Sequence, residues 1–91
     1  MLLPKNGLSL FSSSSRKRYV WAKATLCHIL PPQSFRLDCY GRLIAWSEYG
    51  KTHSPFGWEI DHIIPIAKGG SDDLFNLQAL QWRINRVKAD R

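Results

Sequence analysis

Ninety-one residues, 44% of them hydrophobic, make one small domain with a small core. A net charge of +6 and a pI near 9.8 favour a polyanion as partner. No apolar run approaches about 18 residues, which excludes a membrane-spanning helix, and no CxxC pair occurs, which excludes a four-cysteine zinc ribbon.

Residues 1–18 are expected to form a flexible basic tail. Ser12 to Ser15 precede Arg16, Lys17 and Arg18, and serine runs flanked by charge order poorly. The start has no early positive region, is broken by Lys5-Asn6-Gly7, and lacks a small-residue cleavage site, so it reads as a tail rather than a secretion signal. A cytoplasmic location and no membrane partner are therefore expected. The basic triplet fits a phosphate contact and a solvated tail equally well.

Residues 19–57 are expected to be an arm and hairpin that support residues 58–91. Tyr19, Ala22 and Leu26 fall at helical spacing and Pro31-Pro32 stops the run, so a short helix and an irregular packing arm both fit, with the aromatics in the core. Residues 36–49 read as a hairpin with Gly41 in its turn. Cys27 and Cys39 are expected to be reduced thiols. With His28 and His53 they match no common finger spacing, so no structural zinc is expected.

Residues 58–64 predict a strand, with Pro65 keeping its predecessor extended. Gly69-Gly70 predicts a turn, Ser71 a cap for a short helical turn over Asp72, Asp73 and Leu74, residues 76–80 a second strand, and residues 81–89 a helix. On that helix Leu80, Ile84 and Val87 mark a buried stripe. Gln81, Asn85 and Lys88 form a second stripe one residue round. A helix crossing the two strands then brings Asn85 towards the end of the first, where Asp61 and His62 lie.

Those residue types suit phosphodiester hydrolysis. The reaction needs a nucleophilic water, neutralised phosphoryl oxygens and help for the leaving oxygen. Asp61 and Asn85 offer one anionic and one neutral hard oxygen donor, which leaves room for water and phosphate and suits Mg²⁺, with Mn²⁺ or another transition ion as a substitute. Glu59, on the same face as Asp61, is a reserve donor. An imidazole suits proton transfer near neutral pH, so His62 can take a proton from water, and Asn76 can fix the loop around it. Asp61 and His62 point to opposite faces of a regular strand, so service to one phosphate requires the chain to bend or unwind at His62. Arg83 and Arg86 lie outward on the helix and fit phosphate contacts.

The order Asp61-His62, Gly69-Gly70, Asn76-Leu77-Gln78 and Asn85-Arg86-Val87-Lys88 resembles the HNH endonucleases, in the variant whose third signature position is asparagine. The resemblance covers residues 58–91, and residues 36–57 are similar to the arm that precedes the motif in small stand-alone members. It implies an α+β, ββα-metal fold and metal-dependent cleavage of DNA. By the same resemblance His62 is the general base, Asn76 orients its loop, Asp61 and Asn85 hold the cation, and Arg86 and Lys88 lie near the phosphate backbone. Two features depart from the family. The two cysteine pairs that bind structural zinc in many members are missing, and Ala89 replaces the glycine that commonly follows the lysine. A compact site cuts one strand per visit, and a monomer or weak dimer is expected. The rival readings are a non-catalytic DNA-binding module of the same fold and a nuclease toxin domain.

Overall fold

The computed structural model describes residues 13–89. In chain order it contains helix α1 (Ser13–Lys23), strands β1 (Thr25–Leu26), β2 (Phe35–Leu37), β3 (Leu43–Ala45), β4 (Trp58–His62) and β5 (Leu77–Gln81), and helix α2 (Trp82–Ala89). The first three strands form one antiparallel sheet in the order β1-β2-β3. β4 and β5 form a second antiparallel sheet that leads directly into α2. The architecture is an α+β mix built on a ββα unit, as the sequence implies.

Residues 1–12 of the expected tail lie outside the described residues, but the rest of that expectation is corrected: residues 13–18, basic triplet included, belong to α1. Tertiary contacts hold a segment of weak propensity in a helix. Val20 and Trp21 are buried. Lys23 Nζ donates to the carbonyls of Leu74 (2.7 Å) and Leu77 (2.6 Å), and burial lowers its pKa. At the other end of the arm the Arg36 guanidinium covers the carbonyls of Ala22 and Ala24, which the last turn leaves unpaired. The helix stops at Lys23, well before Pro31-Pro32, because Leu26 pairs with Arg36 in β1–β2 instead of extending the helical run. Not every aromatic of this segment is core: Trp21 is buried, whereas Tyr19 is exposed.

The core joins α1, β3 and the second sheet through Val20, Trp21, Ile44, Trp58, Leu77 and Ala79. Trp58 is fully buried at its centre, with ring centroids 5.2 Å from Trp21, 6.2 Å from Trp46 and 4.7 Å from Tyr49. Large rings pack much area for little chain, which is how so short a domain gains a core. The polar edges are satisfied: Trp58 Nε1 donates to the Ala45 carbonyl (2.9 Å) and Trp21 Nε1 to the Pro32 carbonyl (3.0 Å).

The expected hairpin is present. Gly41 holds φ +77° in its turn, a conformation that glycine adopts without steric cost. Asp38 gives the turn its shape. Its buried carboxylate accepts the backbone N–H groups of Tyr40, Arg42 and Gln81, which ties the hairpin to the end of β5.

In the β4–β5 ladder Trp58 pairs with Gln81 and His62 with Leu77. Pleating turns Trp58, Ile60, Leu77 and Ala79 towards the core and Glu59, Asp61, Gln78 and Leu80 towards α2. β4 ends at His62, two residues short of the expected strand, because Asn76 takes both backbone groups of Ile64. The expected cap at Ser71 is also corrected. Ser71 Oγ accepts only from Asp73 N, and the helical turn is a single 3-10 turn at Leu74–Asn76 with no side-chain cap. At the head of α2, Gln81 Oε1 accepts from the N–H groups of Arg83 and Ile84 and caps the helix. In the expected buried stripe Leu80 is fully buried but Val87 is half-exposed, since α2 turns its Asn85–Lys88 side to the sheet.

Candidate active site at the end of strand β4

His62 ends β4 on the α1 side. Its Nε2 lies 2.8 Å from Asp72 Oδ1, and both Asp72 oxygens receive the Arg16 guanidinium at 2.6 and 3.0 Å. Arg16 first and His62 second hold the Asp72 carboxyl down to about 2. Asp72 is therefore a carboxylate and accepts only, so Nε2 is the donor of this bond, and in a neutral ring the lone pair is then on Nδ1.

The loop after His62 is clamped by Asn76. Its Oδ1 accepts from Ile64 N (2.9 Å), and its Nδ2 donates to the carbonyls of Ile64 (3.0 Å) and Ser71 (2.6 Å). A fourth bond runs from Ile63 N to the Asn76 carbonyl (2.8 Å). The loop closes at Gly69, with φ +91°, and at Gly70, where a Cβ would collide with the Ile64 carbonyl.

Asp61 lies on the other face of the strand. Its Oδ2 accepts from Lys88 Nζ (2.6 Å) and Gln78 Nε2 (2.9 Å). The Lys88 ammonium also reaches the His62 carbonyl at 2.8 Å. One turn earlier on α2, Asn85 Nδ2 donates to Glu59 Oε1 (3.0 Å), and Arg86 pairs with the same carboxylate. Lys88 thus points inward to Asp61, while Arg83 and Arg86 are exposed, Arg83 stacking over Trp82 and Arg86 paired with Glu59.

Asp61, His62, Asn85 and Lys88 line one cleft of about 580 Å³, with Pro65, Ile66 and Lys68 also in its lining. β4 keeps its regular pairing as far as His62, where the strand ends. Side chains from both faces of β4 line the cleft, Asp61 from one and Ile60 and His62 from the other.

Residues 48–91 match the family model of the HNH endonucleases. This segment is an HNH endonuclease domain. Neither a curated protein nor a solved structure matches the chain. The family is one of nucleases, which places the HNH domain with the hydrolases in general class. All residues lining the cleft fall inside the matched segment; Arg16 falls outside it.

HNH nucleases use a divalent cation, and the donor set can be tested for one. Among the described residues no three His, Cys, Asp or Glu side chains converge as a protein cage. Asp61 and Asn85 both line the cleft. With its amide nitrogen spent on Glu59, Asn85 keeps its oxygen as acceptor. One carboxylate and one carboxamide oxygen fit a hard cation that keeps most of its shell as water and phosphate. The Lys88 ammonium on Asp61 marks the same point as one where positive charge is stabilised.

Sequence reasoning gave Asp72 and Gln78 no site role, and it weighed Arg16 only as part of a basic triplet that contacts phosphate or is a solvated tail. Asp72 stands two residues after the glycine pair and could have been weighed as a partner for His62. Arg16 is 56 residues away from Asp72, and nothing local announces it.

Proposed function

We propose that the HNH domain hydrolyses DNA phosphodiester bonds, with His62 as general base and a single divalent cation, Mg²⁺ by preference, held by Asp61 and Asn85. The observation that carries this reading is the cleft that collects Asp61, His62 and Asn85 at the end of β4. The net charge of +6 supports DNA as substrate, because basic side chains answer backbone phosphates.

In this reading His62 Nδ1 takes a proton from water as the oxygen attacks phosphorus, and the bond to the leaving oxygen breaks. Asp72 accepts from Nε2–H and stabilises the imidazolium that forms. Asn76 keeps the backbone after His62 in place during the step. Lys88 and the exposed Arg83 and Arg86 supply positive charge along the phosphate path. When bound, the cation neutralises charge on the phosphoryl oxygens and the leaving oxygen.

Supercoiled plasmid incubated with the protein is expected to be nicked with Mg²⁺ or Mn²⁺ and to stay intact with EDTA. His62→Ala should slow cleavage by about 10²–10⁴-fold, the usual worth of a general base, with DNA binding and thermal stability retained. Equal loss of binding would assign His62 a structural role instead. Plasmid bound but uncut in every divalent cation would favour the non-catalytic binding module, in which the Lys88–Asp61 pair persists in place of a cation.

A further inference from the structure

We propose that Arg16, acting through Asp72, is a positioning residue for His62, so that helix α1 belongs to the catalytic unit although it precedes the HNH segment. The proposal rests on His62 being the base.

Asp72 stands on a loop without regular structure between Gly70 and the turn at Leu74–Asn76, and its side chain is 54% exposed. An exposed loop carboxylate has several open rotamers, and a single bond from His62 does not select one. The Arg16 guanidinium does. It is planar, meets both carboxylate oxygens at 2.6 and 3.0 Å, and so fixes the plane as well as the place of the group. Arg16 is itself mounted rigidly, one helical turn before Val20, which is fully buried in the core beside Trp21. The chain of contacts therefore runs from the core through α1 to Arg16, Asp72 and His62 Nε2.

The consequence is chemical. A carboxylate held against Nε2 keeps the proton there and the lone pair on Nδ1. If Asp72 swings away, the neutral ring is free to exchange tautomers and to rotate, and the fraction of molecules with a base at Nδ1 falls. The bland alternative is a surface ion pair that staples α1 to the loop and contributes at most about 1 kcal/mol. The two accounts diverge on the tautomer and on the chemical step.

Three variants separate them: Arg16→Met, Asp72→Asn and the charge-swapped pair Arg16→Asp with Asp72→Arg. Each is measured by single-turnover plasmid cleavage, by thermal unfolding, and by the His62 tautomer in ¹H–¹⁵N spectra of the cation-free protein at about pH 8, above the ordinary imidazole range. Asp72→Asn presents an N–H to Nε2 and should drive the proton to Nδ1, with cleavage slowed about 100-fold. Arg16→Met should mix the tautomers and slow cleavage about tenfold. The swapped pair should recover thermal stability yet neither rate nor tautomer, because an arginine then faces His62. Parent-like rate and tautomer in Arg16→Met and in the swapped pair would overturn the proposal. If the parent protein cuts nothing, the functional reading fails by itself, and the spectra still decide the positioning: an Nε2–H retained in all three variants overturns it, and its loss supports it.

Discussion

Gly70 shows how tightly the chemistry of the site constrains single residues. Its N–H donates to the Pro65 carbonyl at 2.9 Å, and a Cβ at this position would run into the carbonyls of Ile64 and Pro65. Gly70→Ala must therefore push apart the loop that Asn76 clamps, at about 2 kcal/mol, and should lower cleavage as well. Gly41→Ala is the control: nothing crowds that position, and the cost is the left-handed backbone alone, about 1 kcal/mol. Urea midpoints of the two variants check the ranking, and only Gly70→Ala should affect the rate. Asp38 is a comparable case in the scaffold. Asp38→Ala takes the acceptor from three backbone N–H groups, that of Gln81 being buried, and should cost about 2–4 kcal/mol in urea unfolding. Asp38 is outside the cleft, so the folded fraction should cut at the parent rate.

Among the elements, α1 has an attachment that depends on pH. Asp72 is held down to about 2 by Arg16 and His62. A carboxylate depressed in the folded state contributes stability that is present above its unfolded value, near 4, and is lost as pH falls through the folded one. The stability difference between the parent and Asp72→Asn should thus be constant above about pH 5 and vanish towards pH 2. Because Asp72 is more than half exposed, solvent screens the pair and the difference should stay below about 1 kcal/mol. Thermal melts of both proteins across that window test it. Helix α2 is held differently. Eight residues are too few for a stable isolated helix. Its register comes from the Gln81 cap and from Asn85, Arg86 and Lys88 gripping Glu59 and Asp61.

The whole molecule folds as more than its HNH segment. Residues 48–91 contain Trp58, Leu77 and Ala79, but Val20, Trp21 and Ile44 of the same core lie before them. A fragment restricted to residues 48–91 leaves Trp58 without Trp21 above it and exposes one face of the β4–β5 sheet. It should show the circular dichroism of an unfolded chain, while the full chain melts cooperatively. A folded fragment would mean that the arm contributes little to the core.

The kinds of element and several of the residues that gather at the end of β4 were legible in the sequence. Strand alternation, the glycine turns and the helical stripe are local signals, and the observed bounds of β4, β5 and α2 fall within a residue or two of those expected. Asn85 and Lys88 at i and i+3 forecast which side of α2 meets the end of β4. What local pattern could not carry was choice between partners. Val87 has the hydrophobicity of a core residue but faces solvent, because Asn85 and Lys88 turn that side of the helix to the sheet. Serines and basic residues read as tail became a helix, because Val20 and Trp21 found a core to bury in. Asp61 and His62 alternate as pleating demands, yet both line one cleft at the end of β4. The Arg16–Asp72–His62 chain joins residues 56 and 10 positions apart in sequence. Propensity acts over a few residues, whereas a hydrogen bond between distant segments exists only once packing has fixed both ends.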